Sequence, residues 1–437
     1  MTSPLRILIA AHSHPRLSKG GAEIAAYEMF DRLHQSGDHA VNFLGCQRPN
    51  QGGRLGSPIT QPFADNDYLY TTHSFDWFKF ANPDPEFPRA LQRLLTELQP
   101  DIVHFHHYIN FGVETFAHVK SALPNARIVL TLHEYLALCN HFGQMITTGR
   151  HSLCYQSTPR RCATCFPAHS PADFFLRKLY IDRFFAHIDA FIAPSQFLAE
   201  RYIAWGIPAA RMTVIENIIR APTPQSQPPT PATGPATDNR LLRIGFFGQV
   251  SHLKGIDILF EAARILDDDG VTGVSFDIHG DYQGQPDAFQ TAFLASLAKS
   301  SRNIRFLGPY DQSNVDRLMS ATDAVVVPSI WWENSPVVIQ EALRNHRPVI
   351  CSDIGGMAEK IRDGIDGFHF PAGSAYALAD LIRRLVADPT LLTTLRQSLA
   401  QPPDAEYIVN EHLNLYQSIQ ATSFDQKPIK TRSFQQP

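Results

Sequence analysis

The chain has 437 residues, of which 44% are hydrophobic and 18% are charged. This length exceeds what a single hydrophobic core usually organises, so two domains are expected, and the ordinary composition excludes global disorder. The formal net charge of -4 provides no field that would gather nucleic acid along the surface. No nucleic-acid partner is therefore expected.

The N-terminal apolar run is short, since it extends from Ile7 to Ala11 before polar residues interrupt it. This pattern predicts a buried strand rather than a signal peptide. No stretch reaches the roughly 18 apolar residues that a spanning helix needs. We therefore expect a cytoplasmic protein with reduced cysteines, at most peripheral at the inner face of a membrane.

Short apolar runs alternate with helix-like segments over residues 1–218. The predicted strands are 5–11, 41–46, 101–106, 127–133, 190–193 and 212–215, and the predicted helices include 21–34, 88–98 and 195–205. Strands separated by helices imply right-handed βαβ units and a parallel sheet. Residues 1–218 are thus predicted to form one α/β, Rossmann-like domain.

Residues 219–240 are rich in Pro, Thr and Gln and are predicted to be a linker. The alternation then restarts and predicts a second Rossmann-like domain over 241–400, followed by a helix over 401–422 and a polar, disordered tail over 423–437. Ligands of open parallel sheets bind beyond the carboxyl ends of the strands, so the two domains can share one cleft.

The segment VVVPSIWWENSPVVIQEAL, residues 325–343, reads as a buried strand followed by a helix. We expect Ser335 to cap this helix and Pro336 to be its first residue. The free amides at such a start bind anions, which suits a diphosphate. Glu333 lies just before the helix and Glu341 roughly 9 Å along it, and each carboxylate can accept hydrogen bonds from sugar hydroxyls.

A second segment, IGFFGQVSHLKGIDILF, predicts a strand, a loop and a helix start. The loop contains Gly248, Gln249 and Lys254. The ammonium group of Lys254 and the free helix amides would neutralise diphosphate charge.

Two glutamates separated by seven residues, in the run E-N-S-P-V-V-I-Q-E after V-V-P-S, resemble the signature of the retaining glycosyltransferases of family 4. The resemblance implies the GT-B fold, in which two Rossmann-like, doubly wound parallel-sheet domains face a central cleft and the last helix crosses back to the first domain. It assigns the transferred sugar to Glu333 and the nucleotide ribose to Glu341. The donor-binding residues that it implies in this run also include Asn334, Ser335, Pro336 and Val337.

The loop after the first strand of the second domain departs from the family pattern, which has G-R followed by K-G. Gln249 stands in place of the arginine, so stabilisation of the leaving diphosphate is expected to be weaker unless Arg305, Arg347 or another cation reaches the site. Lys254 remains the expected catalytic cation.

Two segments of the first domain resemble the same family. The G-G-A-E run places Gly20 and Gly21 before a helix, where a glycine turn lets the donor approach the backbone. His133 and Glu134 end a strand in a T-x-H-E run, and His133 is predicted beside the transferred sugar, either handling a proton or orienting the sugar as a neutral ring.

Other histidines and cysteines are candidate metal ligands. His104, His106 and His107 could bind a metal, although cleft lining or core packing is favoured. Four cysteines in the loop 139–165 have the number for a structural zinc site, with free buried thiols as the alternative. These are Cys139, Cys154, Cys162 and Cys165.

The predicted reaction moves a sugar from a nucleoside diphosphate sugar to a hydroxyl of a glycan, lipid-linked or small-molecule acceptor, without a catalytic metal or cofactor. The stretch 174–185 combines aromatic and basic residues and either contacts lipid or, as favoured, packs on its own sheet. Two rival functions stay open. One is a nucleotide-sugar epimerase of similar architecture, and the other is a noncatalytic nucleotide-sugar-binding protein, which Gln249 would suit.

Overall fold

The computed structural model of the chain describes residues 4–18, 20–48, 56–220 and 241–421. Most of the predicted linker and the whole predicted tail lie outside the described residues. The strands are β1 Arg6–Ala10, β2 Ala40–Gln47, β3 Ile59–Ala64, β4 Asp67–Thr71, β5 Ile102–Phe105, β6 Arg127–Thr131, β7 Ala190–Ala193, β8 Met212–Val214, β9 Leu242–Phe247, β10 Val274–His279, β11 Ile304–Gly308, β12 Ala324–Val327, β13 Val349–Ser352 and β14 Gly367–Phe370.

Helices follow most of these strands. They are α1 Gly21–Ser36, α2 Phe87–Leu98, α3 Thr115–Ala122, α4 Pro159–Cys165, α5 Pro171–Phe185, α6 Gln196–Trp205, α7 Ile256–Asp268, α8 Asp287–Ala298, α9 Val315–Ser320, α10 Val337–Arg344, α11 Gly355–Lys360, α12 Ala375–Ala387, α13 Thr390–Ser398 and α14 Ala405–Ala421. Within the described residues, no helix is both long and apolar enough to cross a bilayer.

The strands form two sheets, one in each half of the chain. The first has the order β3-β4-β2-β1-β5-β6-β7-β8 and the second the order β11-β10-β9-β12-β13-β14. All pairs of the second sheet are parallel, and its order follows the doubly wound 3-2-1-4-5-6 pattern. The predicted class of two Rossmann-like domains is confirmed.

The first sheet has an edge that differs from the all-parallel prediction. β3 pairs antiparallel with β4. β3 is mostly exposed and carries a proline, so it lacks the apolar run that marks a buried strand and the hairpin was not predicted.

Each sheet is covered by helices on both faces. In the first domain, one core lies under α2, α3, α5 and α6, and another lies under α1. The second domain likewise has a core against α7 and α12 and another against α10 and α11. Since both faces are covered, the loops at the carboxyl ends of the strands are the part of each sheet left open to a ligand.

The last helix, α14, belongs to the core of the first domain although it follows the second in sequence. Its apolar residues Ile408, Tyr416 and Ile419 pack with Ile7 and Ile9 of β1. The phenol oxygen of Tyr416 lies 2.6 Å from Nδ1 of His104 on β5. The helix therefore ties the end of the chain to the centre of the first sheet.

Replacement of Tyr416 by Phe tests this anchor. The change removes one buried hydrogen bond and leaves His104 without that partner, so the free energy of unfolding should fall by about 1–3 kcal/mol. Tyr407→Phe is the matched control, because Tyr407 is 58% exposed on the same helix. Denaturant unfolding of both variants measures the effect. Equal stabilities would show that the buried phenol contributes nothing.

Candidate functional site

The switch point of the second sheet lies between β9 and β12, where the chain order reverses. The loop after β9 carries Gly248, Gln249 and Lys254, and the loop after β12 carries Glu333. Adjacent strands that connect to opposite sides leave a crevice beyond their carboxyl ends. The two segments singled out in the sequence therefore meet at the crevice where such a sheet binds ligands.

Glu333 is the centre of a small hydrogen-bonded group at this crevice. Its Oε1 accepts hydrogen bonds from Lys254 Nζ at 2.6 Å, Ser329 Oγ at 2.7 Å and Trp331 Nε1 at 2.9 Å. Glu333 is buried, whereas about a third of the Lys254 side chain is exposed. The carboxylate is held in one orientation, and the ammonium group stays accessible to an anion in the cleft. Ser329 and Trp331 were not predicted from the sequence.

Gly255 explains why a glycine follows Lys254. It adopts φ 74° immediately before α7, and a Cβ atom there would lie 1.9 Å from the carbonyl oxygen of Pro328. A side chain is excluded both by the left-handed backbone and by this close approach. The K-G pair thus brings the β9 loop against the end of β12, next to the Glu333 loop.

The start of α10 differs from the prediction by one residue. Pro336 precedes the helix as its cap, Val337 is the first helical residue, and no side chain caps the end. The prediction that Ser335 caps the helix is wrong, because its hydroxyl donates to Glu216 of the first domain instead. The amides at this helix start are left free of side-chain caps.

Glu341 lies on α10 and is buried against Gln312, whose amide donates to it. Burial raises the pKa of this carboxyl to about 7; Arg344 and the Gln312 hydrogen bond oppose this effect, and Asp316 adds to it. A buried carboxyl with few partners is unfavourable for the fold but suits two hydroxyl donors of a ligand.

Gln249 is exposed, and the two arginines considered as replacements for the missing charge are engaged elsewhere. Arg305 binds Asp277 with its Nε 2.6 Å from the carboxylate, and Arg347 donates to the carbonyl of Ser320 at 3.1 Å. Lys254 therefore carries the positive charge next to Glu333.

In the first domain, Gly20 precedes α1 and Gly21 begins it. A Cβ atom on Gly20 would lie 2.3 Å from a carboxylate oxygen of Glu23, so the glycine makes room for that side chain. Glu23 is buried, and its Oε1 lies 3.3 Å from Nε2 of His12, which follows β1. Neither Glu23 nor His12 was identified from the sequence.

His133 lies just beyond β6 and contacts His106, with its Nε2 3.1 Å from Nδ1 of His106. Burial lowers the pKa of His133 to about 3. A ring with so low a pKa is a weak base and binds a proton poorly, which favours the orienting role of the two that the sequence allowed.

The tautomer of His133 follows from its neighbour. Nε2 of His106 is buried and has no partner among the described residues. In folded proteins, a buried N–H group without an acceptor is rarer than a buried acceptor without a donor. Nε2 of His106 is therefore assigned as the unprotonated nitrogen, and the proton of His106 lies on Nδ1. That proton is donated to Nε2 of His133, and the remaining nitrogen of His133 then carries a proton as a donor.

His104, His106 and His107 are all buried. Besides its contact with Tyr416, His104 lies 2.7 Å from the hydroxyl of Thr131, while Nδ1 of His107 accepts from the amides of the two following residues. These contacts engage both nitrogens of His104 and Nδ1 of His107, which fits core packing better than metal binding. Among the residues described, no group of three or more His, Cys, Asp or Glu side chains is arranged to hold a metal.

The four loop cysteines are likewise not arranged around a common point among the described residues. Each of the four loop cysteines is free, and within the described ranges they do not form a metal-binding group. Burial raises the pKa of the Cys139 thiol and raises that of Cys162 to about 11, with each affected by neighbouring cysteines. The raised pKa values favour protonated thiols at Cys139 and Cys162.

The residues on either side of Glu333 bind the first domain. The indole of Trp332 donates to the carbonyl of Cys154 at 3.1 Å and lies 4.9 Å from the ring of Phe197. The Asn334 amide donates to the His133 carbonyl at 3.1 Å. Asn334 and Ser335, predicted as donor-binding, thus join the two domains.

Two acidic residues complete this interface. Glu359 of α11 accepts from the amides of Gln196 and Phe197 at 2.8 Å each, and so binds the first turn of α6 in the other domain. Glu216 of the first domain accepts from Ser335 and from Lys360. Sequence reasoning missed these residues, because only the meeting of the domains identifies their partners.

Helix α5 packs on its own domain, as favoured. Phe174, Arg177 and Phe185 are buried beneath it, and Arg177 donates to three backbone carbonyls at 2.7–2.8 Å. Phe175, Leu176 and Leu179 are about half exposed on its outer side.

The fold and the site together define a two-domain, GT-B-type protein with its candidate site at the switch point of the second sheet. The solved structures that it resembles include HepE of Anabaena in complex with UDP and glucose, with a TM-score of 0.63, 18% identity and coverage of 95% of this chain and 100% of that one. Sucrose-phosphate synthase of Thermosynechococcus elongatus gives a TM-score of 0.66, 17% identity and coverage of 95% and 99%. These likenesses confirm the fold.

Two family descriptions match the sequence: Glycosyltransferase Family 4 over residues 19–221 and Glycosyl transferases group 1 over residues 235–401. The chain belongs to the family 4 glycosyltransferases, which confirms the resemblance of the E-N-S-P-V-V-I-Q-E run.

Curated relatives match over shorter stretches. Alpha-D-kanosaminyltransferase of Streptomyces kanamyceticus is 28% identical over 162 residues, which are 37% of this chain and 41% of that one. D-inositol 3-phosphate glycosyltransferase of Mycolicibacterium vanbaalenii is 30% identical over 160 residues, 34% and 35% of the two chains. The match thus spans less than half of either relative.

The raised pKa of Glu341 predicts a pH-dependent cost to stability. Between its ordinary value of 4.5 and about 7, the folded state keeps a proton that the unfolded state releases, so rising pH destabilises the fold. Glu341→Gln removes this effect. The difference in free energy of unfolding between the variant and the parent should therefore be about 2–3 kcal/mol larger at pH 8 than at pH 4.5. Unfolding measured across this range, with exposed Glu97→Gln as the control, checks the prediction. If the stability gained by Glu341→Gln is the same at every pH, the prediction is wrong.

Proposed function

We propose that the protein transfers a sugar from a nucleoside diphosphate sugar to a hydroxyl acceptor with retention at the anomeric carbon. The observation that carries this proposal is the contact of 2.6 Å between Lys254 Nζ and Glu333 Oε1 at the switch point of the second sheet. It places a cation and an oriented carboxylate side by side, as a diphosphate joined to a sugar requires. The uncapped start of α10 lies a few residues farther along the chain.

The donor is proposed to lie across this crevice. Glu341 would accept hydrogen bonds from the ribose, and the α10 amides with Lys254 would hold the diphosphate, supported by the backbone at Gly248 and the side chain of Gln249. Glu333 would bind hydroxyls of the transferred sugar. HepE, which has the same fold, has been crystallised with UDP-glucose.

The reaction is proposed to proceed on one face of the sugar. The carboxylate of Glu333 already accepts from three side chains, which suits orientation of the sugar better than attack on it. As the bond between the anomeric carbon and the diphosphate oxygen breaks, the acceptor oxygen bonds to the same face, and its proton passes to the departing diphosphate. Lys254 and the helix amides stabilise the negative charge that develops there.

His133 is proposed to orient the sugar from the opposite wall of the cleft, as a neutral hydrogen-bond donor. Its carbonyl is bound by Asn334, next to Glu333, so the two walls are linked at this point. Gly20 and Gly21 would let the donor approach the start of α1 closely. Domain contact around the bound substrates would exclude water and limit hydrolysis.

The acceptor is proposed to bind the first domain beside Glu134. This side chain is accessible from the cleft, yet the surrounding walls and Glu23 raise its pKa to about 7. Such a group can accept a hydrogen bond from an acceptor hydroxyl or share its proton. A glycan, lipid-linked or small-molecule acceptor stays a prediction, and so does peripheral membrane contact, for which the exposed side of α5 is the candidate surface.

Incubation with UDP-, GDP- and ADP-sugars tests the proposal. We expect release of nucleoside diphosphate. The NMR spectrum of the first product should show the same anomeric configuration as the donor. Glu333→Gln should lower turnover by roughly 100-fold, because the oriented carboxylate is lost. Glu261→Gln is the control, since Glu261 lies on the surface of the same domain.

Three outcomes of this experiment would reject the proposal. An isomerised nucleotide sugar formed without an acceptor would identify an epimerase. Binding without any turnover would identify a noncatalytic binding protein. A product of inverted configuration would reject the front-face reaction.

Gln249→Arg tests the charge missing from the β9 loop. If departure of the diphosphate limits the rate, a guanidinium at this position should raise turnover of the nucleotide sugar by roughly tenfold. Gln92→Arg adds the same charge on the exposed side of α2 and should leave turnover unchanged. Steady-state kinetics of both variants provide the measurement. A rate that stays constant or falls in Gln249→Arg would mean that diphosphate charge does not limit turnover.

A further inference from the structure

A pocket of about 240 Å³ lies within the first domain, apart from the donor crevice. It is enclosed by α5, α6 and the loop that leads from Tyr155 into α4. Its wall combines basic and aromatic side chains, chiefly Tyr155, Phe174, Arg177, Lys178, Arg201 and Trp205. None of the residues proposed to hold the nucleotide sugar contributes to it.

The charges of the pocket wall are unbalanced. Lys178 is neutralised by Asp182 at 2.7 Å. Arg177 donates to backbone carbonyls alone, and Arg201 donates to the carbonyl of Tyr155 at 3.3 Å. Within the described part of the chain, neither guanidinium forms an ion pair, and no acidic side chain lines the pocket. The wall therefore carries uncompensated positive charge.

One hydrogen-bond donor of this wall is also unused. Nε of Arg201 is shielded from solvent and has no partner among the residues described. A buried donor without an acceptor is unfavourable, and an anionic ligand would supply the missing acceptor. Glu200, the acidic neighbour of Arg201 on α6, is bound by Gln196 at 3.1 Å.

The rest of the wall is apolar. The indole of Trp205 lies beneath Lys178 Nζ at 3.9 Å from the ring centre, and Phe174 and Leu138 line the same space. Gln156, Ser157 and Thr158 add polar groups along the loop. A ligand that matches this wall has an anionic group for the guanidinium and an apolar body for the rings.

We propose that this pocket binds an amphipathic organic anion, a phosphate or carboxylate attached to an apolar group. The site is distinct from the donor crevice and does not depend on glycosyl transfer. Its outer wall nevertheless reaches the second domain, because the ring of Tyr155 lies 4.8 Å from that of Trp332. A ligand here would occupy the first-domain side of the contact next to Glu333.

Isothermal titration calorimetry of the full chain with octyl phosphate, below its micelle-forming concentration, tests the proposal. Octyl phosphate should bind at least tenfold more tightly than inorganic phosphate or octyl glucoside, each of which offers one half of the required chemistry. Arg201→Gln should weaken binding by roughly tenfold, the size expected for a charge-assisted hydrogen bond. Arg93→Gln, exposed on α2, is the matched control and should bind as the parent does.

A second variant keeps the test decisive if Arg201→Gln folds poorly. Ala204→Trp fills the pocket from α6 without removing a charge and should abolish binding, while thermal unfolding confirms that the variant is folded. Equal affinity for octyl phosphate and octyl glucoside, or unchanged affinity in both variants, would overturn the proposal. So would competition by UDP-glucose, because it would place the ligand in the donor crevice.

Discussion

The position of Glu333 depends on contacts that its neighbours make with the other domain. Trp332 packs in the aromatic core of the first domain, and Asn334 binds the carbonyl of His133. Ser335 binds Glu216. The carboxylate is thus held by its own domain through Lys254 and by the opposite domain through the backbone on either side. Orientation of the candidate catalytic carboxylate therefore depends on the contact between the two domains.

Two ionisable side chains at the site lower the stability of the fold but are placed to bind a ligand. Glu341 is buried without a full set of partners, and His133 is a partly buried ring whose low pKa keeps it neutral. Each condition is unfavourable for the isolated fold, but a ligand with hydroxyl groups supplies the missing partners. Lys254 is exposed enough to meet an incoming anion, whereas Glu333 is not. Lys254 is thus accessible while Glu333 and Glu341 are enclosed, as suits a diphosphate bearing sugar hydroxyls.

Local sequence patterns predicted most strands and helices and the two loops that meet at the candidate site. Apolar runs that alternate with amphipathic helices predicted both sheets, because strands buried on both faces are continuously apolar. The edge strand β3 was missed since exposure removes that signal. The K-G and glutamate motifs lie in the two loops that meet at the switch point, whereas the cap assigned to Ser335 was wrong. Ser329, Trp331 and Gln312, which bind the two glutamates, have no local signature.

The sequence by itself determined the class of fold, the family, and the two strand ends that face the candidate donor. These follow from periodicity, glycine conformation and short motifs, which depend on neighbours along the chain. Only the tertiary structure decided that Asn334 and Ser335 bind the other domain, that His133 is neutral, and that α14 anchors His104. Burial and hydrogen-bond partners arise between residues distant in sequence, so no local pattern contains them.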